Sequence, residues 1–217
     1  VPAPVLELPL PIPEIALVDT LRPPVPEPEP RAGGGRELEP WQKFAVGYSA
    51  ASGRPRIVVV IDDMGLDKTR TARVIALPGP LTTSFLTYAT DLETQTRAAR
   101  KAGHELLVHV PMEPMNGHTD AGRNVITGSL SREELSRRLD WALDRFPDFV
   151  GINNHMGSRF TADSEGMTVV LSELKRRGLL FLDSRTTAKT VADSIAQKLH
   201  VPYARRHVFL DDSPSPA

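Results

Sequence analysis

From residue 56 to residue 210 the sequence repeats one unit: a short apolar run that ends in polar side chains, then a stretch of helical periodicity. Residues 56–63 (RIVVVIDD) set the pattern. A continuous β-branched run has no polar side to offer to water, so it reads as a strand covered on both faces, the habit of parallel sheets. Further strands are expected at 81–89, 106–110, 149–153, 179–183 and 203–210. Helices are expected between them. One runs from a cap at Asp67 to Leu77, and another from the capping box Thr90-Asp91-Leu92-Glu93 to about Ala102. A third follows the capping box Ser131-Arg132-Glu133-Glu134, with Leu135, Leu139, Ala142 and Phe146 on one face. Two more cover 163–177 and 190–199. Such alternation implies parallel strands joined by right-handed crossovers, hence an α/β fold, either barrel-like or open and doubly wound. Residues 111–130 interrupt the rhythm with a polar loop whose length marks it as functional.

Before this region the composition is different. Eleven of the 20 prolines precede Pro55, and Gly33-Gly34-Gly35 follows most of them. Proline removes backbone donors and fixes φ, so residues 1–40 are expected to be an extended linker or tail, with the domain at 41–217. Trp41, Phe44 and Tyr48 are the first aromatic residues and are expected to pin the tail to the domain. The chain starts at Val1 and has no run of about 18 apolar residues, the length a membrane-spanning helix needs. Any membrane attachment is therefore expected to rest on an N-terminal anchor outside this sequence.

Several function classes lose support. Acids and bases nearly cancel, 27 against 26, so a nucleic-acid partner is not expected. Neither Gly-x-Gly-x-x-Gly nor Gly-x-x-x-x-Gly-Lys-Ser/Thr occurs, which removes the dinucleotide and nucleotide-triphosphate readings. There is no cysteine, so neither a disulfide framework nor a thiolate zinc site can form, and export to an oxidising compartment would be compatible.

Ligand sites of parallel α/β folds form at the carboxyl ends of the strands. Those ends carry Asp62-Asp63, then His109 with Met112 and Glu113 beyond it, Asn153-Asn154-His155, Asp183-Ser184-Arg185, and Asp211-Asp212. Acids and imidazoles gathered at one rim must pair or bind a metal, because burying them alone is costly. Two histidines and a carboxylate from three different strands can supply a facial set of ligands with positions left open for water and substrate. His104 and His200 lie away from that rim and are expected to be structural or solvated. His118, in the long loop, is expected to be solvated too, though within reach of the pocket.

Four runs in order carry a resemblance: IVVVIDDMG (57–65), GHELLVHVPMEP (103–114), GINNHMGSRF (151–160) and FLDSRTT (181–187). They resemble the divergent polysaccharide deacetylase family over roughly residues 41–211. RRHVFLD (205–211) fits the same family, with His207 where an acid is expected. The resemblance implies a distorted (β/α) barrel and a divalent metal, with zinc the expected ion. It implies Asp62 as catalytic base and Asp63 and His109 as metal ligands. The position of a further ligand histidine falls on Glu113, so His155 is expected to supply that imidazole. Glu113 is then a ligand, a partner behind the ligands, or neither. Asn154, Asp183, Ser184 and Arg185 are expected to orient substrate or hold the ligands. The implied reaction is hydrolysis of an acetyl group on a polysaccharide or peptidoglycan-type glycan, in the periplasm or cell envelope. Family members continue into a further helix and a strand with a His-Pro motif, so the barrel is expected to lack its C-terminal part and its general acid. The alternative is a non-catalytic periplasmic glycan-binding or scaffold protein on the same fold.

Overall fold

A computed structural model describes residues 37–47 and 55–211. The proline-rich segment, Tyr48 and Asp212 lie outside the described residues. The elements in order are α1 (Pro40–Lys43), β1 (Val60–Met64), α2 (Lys68–Ile75), β2 (Thr82–Leu86), α3 (Leu92–Lys101), β3 (Glu105–Met112), α4 (Arg132–Leu143), β4 (Gly151–Met156), a 3-10 turn at Phe160–Ala162, α5 (Ser164–Arg177), β5 (Leu180–Asp183), α6 (Ala192–Leu199) and β6 (Tyr203–Arg205).

The six strands form one sheet, all parallel, in the order β1-β2-β3-β4-β5-β6. This order separates the two architectures that the alternation left open and agrees with the barrel that the resemblance implied. A doubly wound sheet reverses its strand order at a switch point. Here each strand lies beside its predecessor, so crossovers of one hand keep every helix on the same face, the winding of a (β/α) barrel. No helix among the described residues is long and apolar enough to cross a membrane.

Strand pleating sorts side chains between the two faces. Phe85, Val108, Val110 and Ile152 point to the helices and join the main core with Leu135 and Leu139 of α4, Met167, Val170 and Leu174 of α5, and Ile195 of α6. Residues of the other parity, Ser84, His109 and Asn153, lie on the opposite face and are also buried. The apolar stripe read from the sequence of α4 is thus the stripe that is covered.

Local signals hold at three helix starts. Asp67 accepts from the backbone N–H of Arg70, Ser131 from that of Glu134, and Asp163 from that of Glu165. The box at Thr90 does not form as expected. Asp91 is the residue before α3, in a left-handed conformation at φ 53°, and makes no capping bond; its carboxylate pairs with Lys68 instead. A tertiary ion pair has taken the cap's acceptor.

The edges also differ from expectation. The run at 56–63 becomes regular only at Val60, and Ile57 and Val58 are 88% and 75% exposed. The last strand stops at Arg205, leaving Val208, Phe209 and Leu210 exposed. β1 and β6 are the edge strands among the described residues, so their outer flanks lack the neighbour that buries a central strand. Before β1, the backbone at Trp41 and Phe44 is tied to later elements, while the tail they were expected to pin lies outside the described residues. The N–H of Trp41 donates to Gly178 O at 3.1 Å, and Arg100 donates to Phe44 O at 2.8 Å.

Candidate metal centre

β1 loses its regular register between Ile61 and Met64, and Asp63 sits in this irregularity with φ 54°. An unbroken pleat would send Asp62 and Asp63 to opposite faces. The bulge re-aims the second acid toward the strand ends, a common use of bulges beside functional sites. Gly65 then turns the chain at φ 106°, where a Cβ would lie 2.7 Å from that of Ala89.

Three donor atoms meet at this point. Asp63 Oδ1 lies 2.8 Å from His155 Nδ1 and 3.2 Å from His109 Nε2, and the two ring nitrogens are 3.2 Å apart. His109 is 2% exposed, whereas the Asp63 carboxylate is more than half exposed, so the cluster opens to solvent on the acid's side. The hydrogen-bonding faces of His109 first, then His155, hold the Asp63 carboxyl well below the usual carboxylate range, against the opposing effect of burial.

The residues behind His109 fix its ring. His109 and Asn153 are register partners on β3 and β4, and Nδ1 of His109 lies 2.9 Å from Asn153 Oδ1. An amide oxygen only accepts, so Nδ1 carries a hydrogen there. Ser84 donates to the same oxygen, and the Asn153 amide donates to Ser184 Oγ at 3.3 Å. His109 Nε2 therefore faces Asp63 and His155 with its lone pair, unless it takes a second proton. Three electron-rich atoms this close require a positive charge between them: a ring proton or a metal ion. Two ligands of a tetrahedral zinc, each at about 2.0–2.1 Å, lie about 3.3 Å apart. The observed separations of 2.8 and 3.2 Å come near that value. Asp63, His109 and His155 thus form a cluster that can hold a divalent metal.

The other expected residues are distributed around this centre. Asp62 lies at its rim, 44% exposed, with Oδ2 3.8 Å from His109 Nε2. Asn154 accepts from the backbone N–H of Ser184 at 2.9 Å and donates to Met156 O at 2.7 Å, which ties the end of β4 to that of β5. Asp183 is fully buried. It accepts from Thr190 Oγ1 at 2.7 Å, Tyr203 Oη at 3.2 Å and the N–H of Arg185 at 2.7 Å, all away from the three ligands. Glu113 accepts from the N–H of Gly128 at 3.0 Å and pairs with Arg159 at 3.4 Å, bracing the long loop. Arg185 has φ 46°, and its carbonyl accepts from Arg206. Among the other histidines, buried His104 accepts from Leu81 N–H at Nδ1 and donates to Ile75 O from Nε2, a satisfied structural ring.

Two features escaped the sequence reading. Asn153 stood in the Asn-Asn-His run, and its two-residue spacing from His155 already put both on one strand face. Beside the triad, a cleft of about 750 Å³ is lined by Tyr88, Asp91, Arg123, Asn124, Trp141 and Arg145, among others.

A one-way wound parallel α/β domain with an Asp-His-His cluster at its strand ends defines the class of protein. Comparison with known proteins then gives the family. The divergent polysaccharide deacetylase family matches residues 59–217, and the chain belongs to it. It is 34% identical over 160 residues to an uncharacterized protein of Haemophilus influenzae, covering 73% of this chain and 56% of that protein. It is 36% identical over 162 residues to the uncharacterized protein YibQ of Escherichia coli K12, covering 75% of this chain and 50% of YibQ. The chain thus spans about half the length of these curated relatives. The crystal structure of an uncharacterized protein from Agrobacterium tumefaciens C58 superposes with a TM-score of 0.78 at 29% identity, covering 81% of this chain and 72% of that one.

Proposed function

We propose that the protein is a metal-dependent hydrolase that removes acetyl groups from a polysaccharide or peptidoglycan-type glycan. The observation that carries this reading is the meeting of Asp63, His109 and His155, each from a different strand, at ligand spacing and beside an exposed acid. Two imidazoles and one carboxylate suit zinc, and three protein ligands leave room for water and an acyl oxygen. A divalent ion held there supplies Lewis acidity, acidifying water and polarising the acyl oxygen.

The chain's own residues do the rest. Asp62, exposed at the rim of the cluster, is the base that takes a proton from water. The hydroxide so formed adds to the acyl carbon, the carbon–nitrogen or carbon–oxygen bond breaks, and acetic acid leaves one side, losing its proton to water as acetate. The proton held by Asp62 goes to the departing amine or alcohol, which closes the balance. Asn153 keeps His109 oriented, and Asn154 holds the β5 end in place. The reading implies that the protein works in the periplasm or cell envelope, where such glycans lie; cell fractionation checks it.

The test is metal content by plasma mass spectrometry on protein purified without a histidine tag, beside Asp63→Ala, followed by acetate release from chitooligosaccharides and peptidoglycan fragments. The expected result is near-stoichiometric metal lost in Asp63→Ala, and turnover lost in Asp62→Asn with metal retained. Absence of metal after zinc reloading would sink the metal-dependent reading. Bound metal and glycan without turnover would leave the non-catalytic glycan-binding protein.

A further inference from the structure

The cleft beside the triad has its own chemistry. β2 lies between β1, which carries Asp63, and β3, which carries His109, with Leu86 the register partner of His109. Tyr88 leaves the end of β2 two residues later, so the cleft it lines starts at the rim between two ligand-bearing strands. The Tyr88 ring lies against Gly122, where a Cβ would come within 2.3 Å of Cε1 and where φ is 98°. Only glycine permits that approach, and it fixes the ring on one wall. Burial, with the charges of Asp63 and Asp120 behind it, pushes the Tyr88 phenol up, so the group stays a hydrogen-bond donor. Trp141 and Arg145 also line the cleft, the Arg145 guanidinium sitting 5.1 Å from the indole centroid. Arg145 is also held by Thr87 O at 2.8 Å and Ala89 O at 3.4 Å, so its position is built in rather than adopted.

The charge in this cleft is unbalanced. Arg123 and Arg145 both line it, and Arg123 makes no ion pair or hydrogen bond among the described residues. The one acid in the lining, Asp91, is paired with Lys68. Asp120, near Tyr88, accepts from the N–H of Gly122 at 2.8 Å. The result is an aromatic-walled space at the same rim as the metal centre, whose lining offers a phenol hydroxyl and two guanidiniums as donors and whose one acid is already paired. Guanidinium recognises carboxylate through paired, charge-assisted hydrogen bonds, and flat aromatic walls suit a sugar ring.

We propose that this cleft is a specificity subsite for a carboxylate-bearing sugar unit next to the acetylated unit, with Arg123 and Arg145 binding the carboxylate and Tyr88 and Trp141 flanking the ring. The proposal rests on the hydrolase reading for its placement next to the acetylated unit. Arg123, exposed and free to reach the ligand, sets the preference for charge.

The test measures binding, separately from turnover. The full chain is loaded with zinc and titrated calorimetrically with two glycans. One is a peptide-free strand with lactyl ether carboxylates and the other an O-acetylated oligouronate; each is compared with its own carboxamide form. Arg123→Gln is run beside the wild type, with circular dichroism as the check on folding. At least one carboxylate form is expected to bind about tenfold tighter than its carboxamide, near the lower end for one hydrogen bond to a charged group. The ratio is expected to fall toward one in Arg123→Gln, the remaining preference resting on Arg145, and the carboxylate form is expected to lose more affinity than the carboxamide form. Which of the two glycans shows the preference identifies the source of the carboxylate. Equal binding of both forms, no measurable binding of any, or a ratio untouched by Arg123→Gln overturns the subsite. Acetate release from the same strands reports on the hydrolase reading alone: a charge preference without turnover would sink that reading and leave the subsite standing.

Discussion

Replacing Asn153 with alanine tests the centre from behind. Asn153 is 1% exposed and touches no proposed substrate position, yet its oxygen accepts from both His109 and Ser84, and its amide donates to Ser184. In Asn153→Ala the Nδ1–H of His109 stays buried without an acceptor, which costs about 1–3 kcal/mol. The Ser84 hydroxyl, also fully buried, must rotate or go unpaired, and a small void remains. A total loss of about 2–4 kcal/mol in stability of the metal-free protein is expected from these contributions. The more specific consequence concerns the ligand. Without Asn153 the imidazole of His109 can change tautomer and turn Nε2 away, and losses of this kind cost about 10- to 100-fold in metal affinity. Asn153→Asp separates the two effects. It keeps the acceptor for Nδ1–H and makes it charged, so zinc affinity should equal or exceed that of the wild type, while stability falls with the lost donor to Ser184. Zinc affinity is read by competition with a chromophoric chelator, and stability by urea unfolding after chelation. If Asn153→Ala is folded and binds zinc within twofold of the wild type, Asn153 does not hold His109 in its ligand tautomer.

Other perturbations follow from the same structure. Zinc in hundredfold excess over its Kd should stabilise the wild type by about 2.7 kcal/mol, and a chelator should reverse the rise in Tm; an equal rise in Asp63→Ala would contradict the assignment of that ligand. Gly151→Ala places a Cβ 2.1 Å from the carbonyl oxygen of Leu180, a backbone atom of the neighbouring strand. The β4–β5 pairing must then separate, at a cost of about 1–3 kcal/mol or more seen in the urea midpoint; an unchanged midpoint would refute it. Arg176 holds the Glu173 carboxyl down at about 2 from an ordinary 4.5, against burial, with help from Arg177, which also bridges α5 to Asp140 of α4. A depressed acid contributes stability that is complete above 4.5 and lost as pH falls through about 2. The Tm difference between the wild type and Glu173→Gln should therefore be widest near neutrality and close toward pH 2, and a difference that grows on acidification would reverse the argument.

Much of this protein is local and so can be read along the chain. The β-branched runs, the caps at Asp67, Ser131 and Asp163, and the stripe of Leu135 and Leu139 each depend on residues within a few positions of one another. The same rhythm put the polar strand ends, and with them His109 and His155, at one rim. The alternation alone could not choose between a barrel-like and a doubly wound sheet, because both obey it; the family resemblance implied the barrel. Strand order decided that, and it is a property of long-range pairing. Nor could the strand pattern say which acid of Asp62-Asp63 faces the histidines, since a regular pleat gives each its own side and a bulge reassigns them; only the family resemblance pointed to Asp63. Asp183 and Glu113 stand at the strand ends in one dimension; which groups their oxygens meet, Thr190 and Tyr203 for one and Gly128 and Arg159 for the other, is set in three. Asn153 shows the converse: its neighbours along the chain do not reveal the hydrogen bond that sets the His109 ring, because that bond crosses from one strand to the next. The sequence by itself determined the elements and the chemistry available at their ends; the tertiary structure determined which groups remain free to act, because a hydrogen-bonding group is assigned by whatever the fold brings within about 3 Å of it.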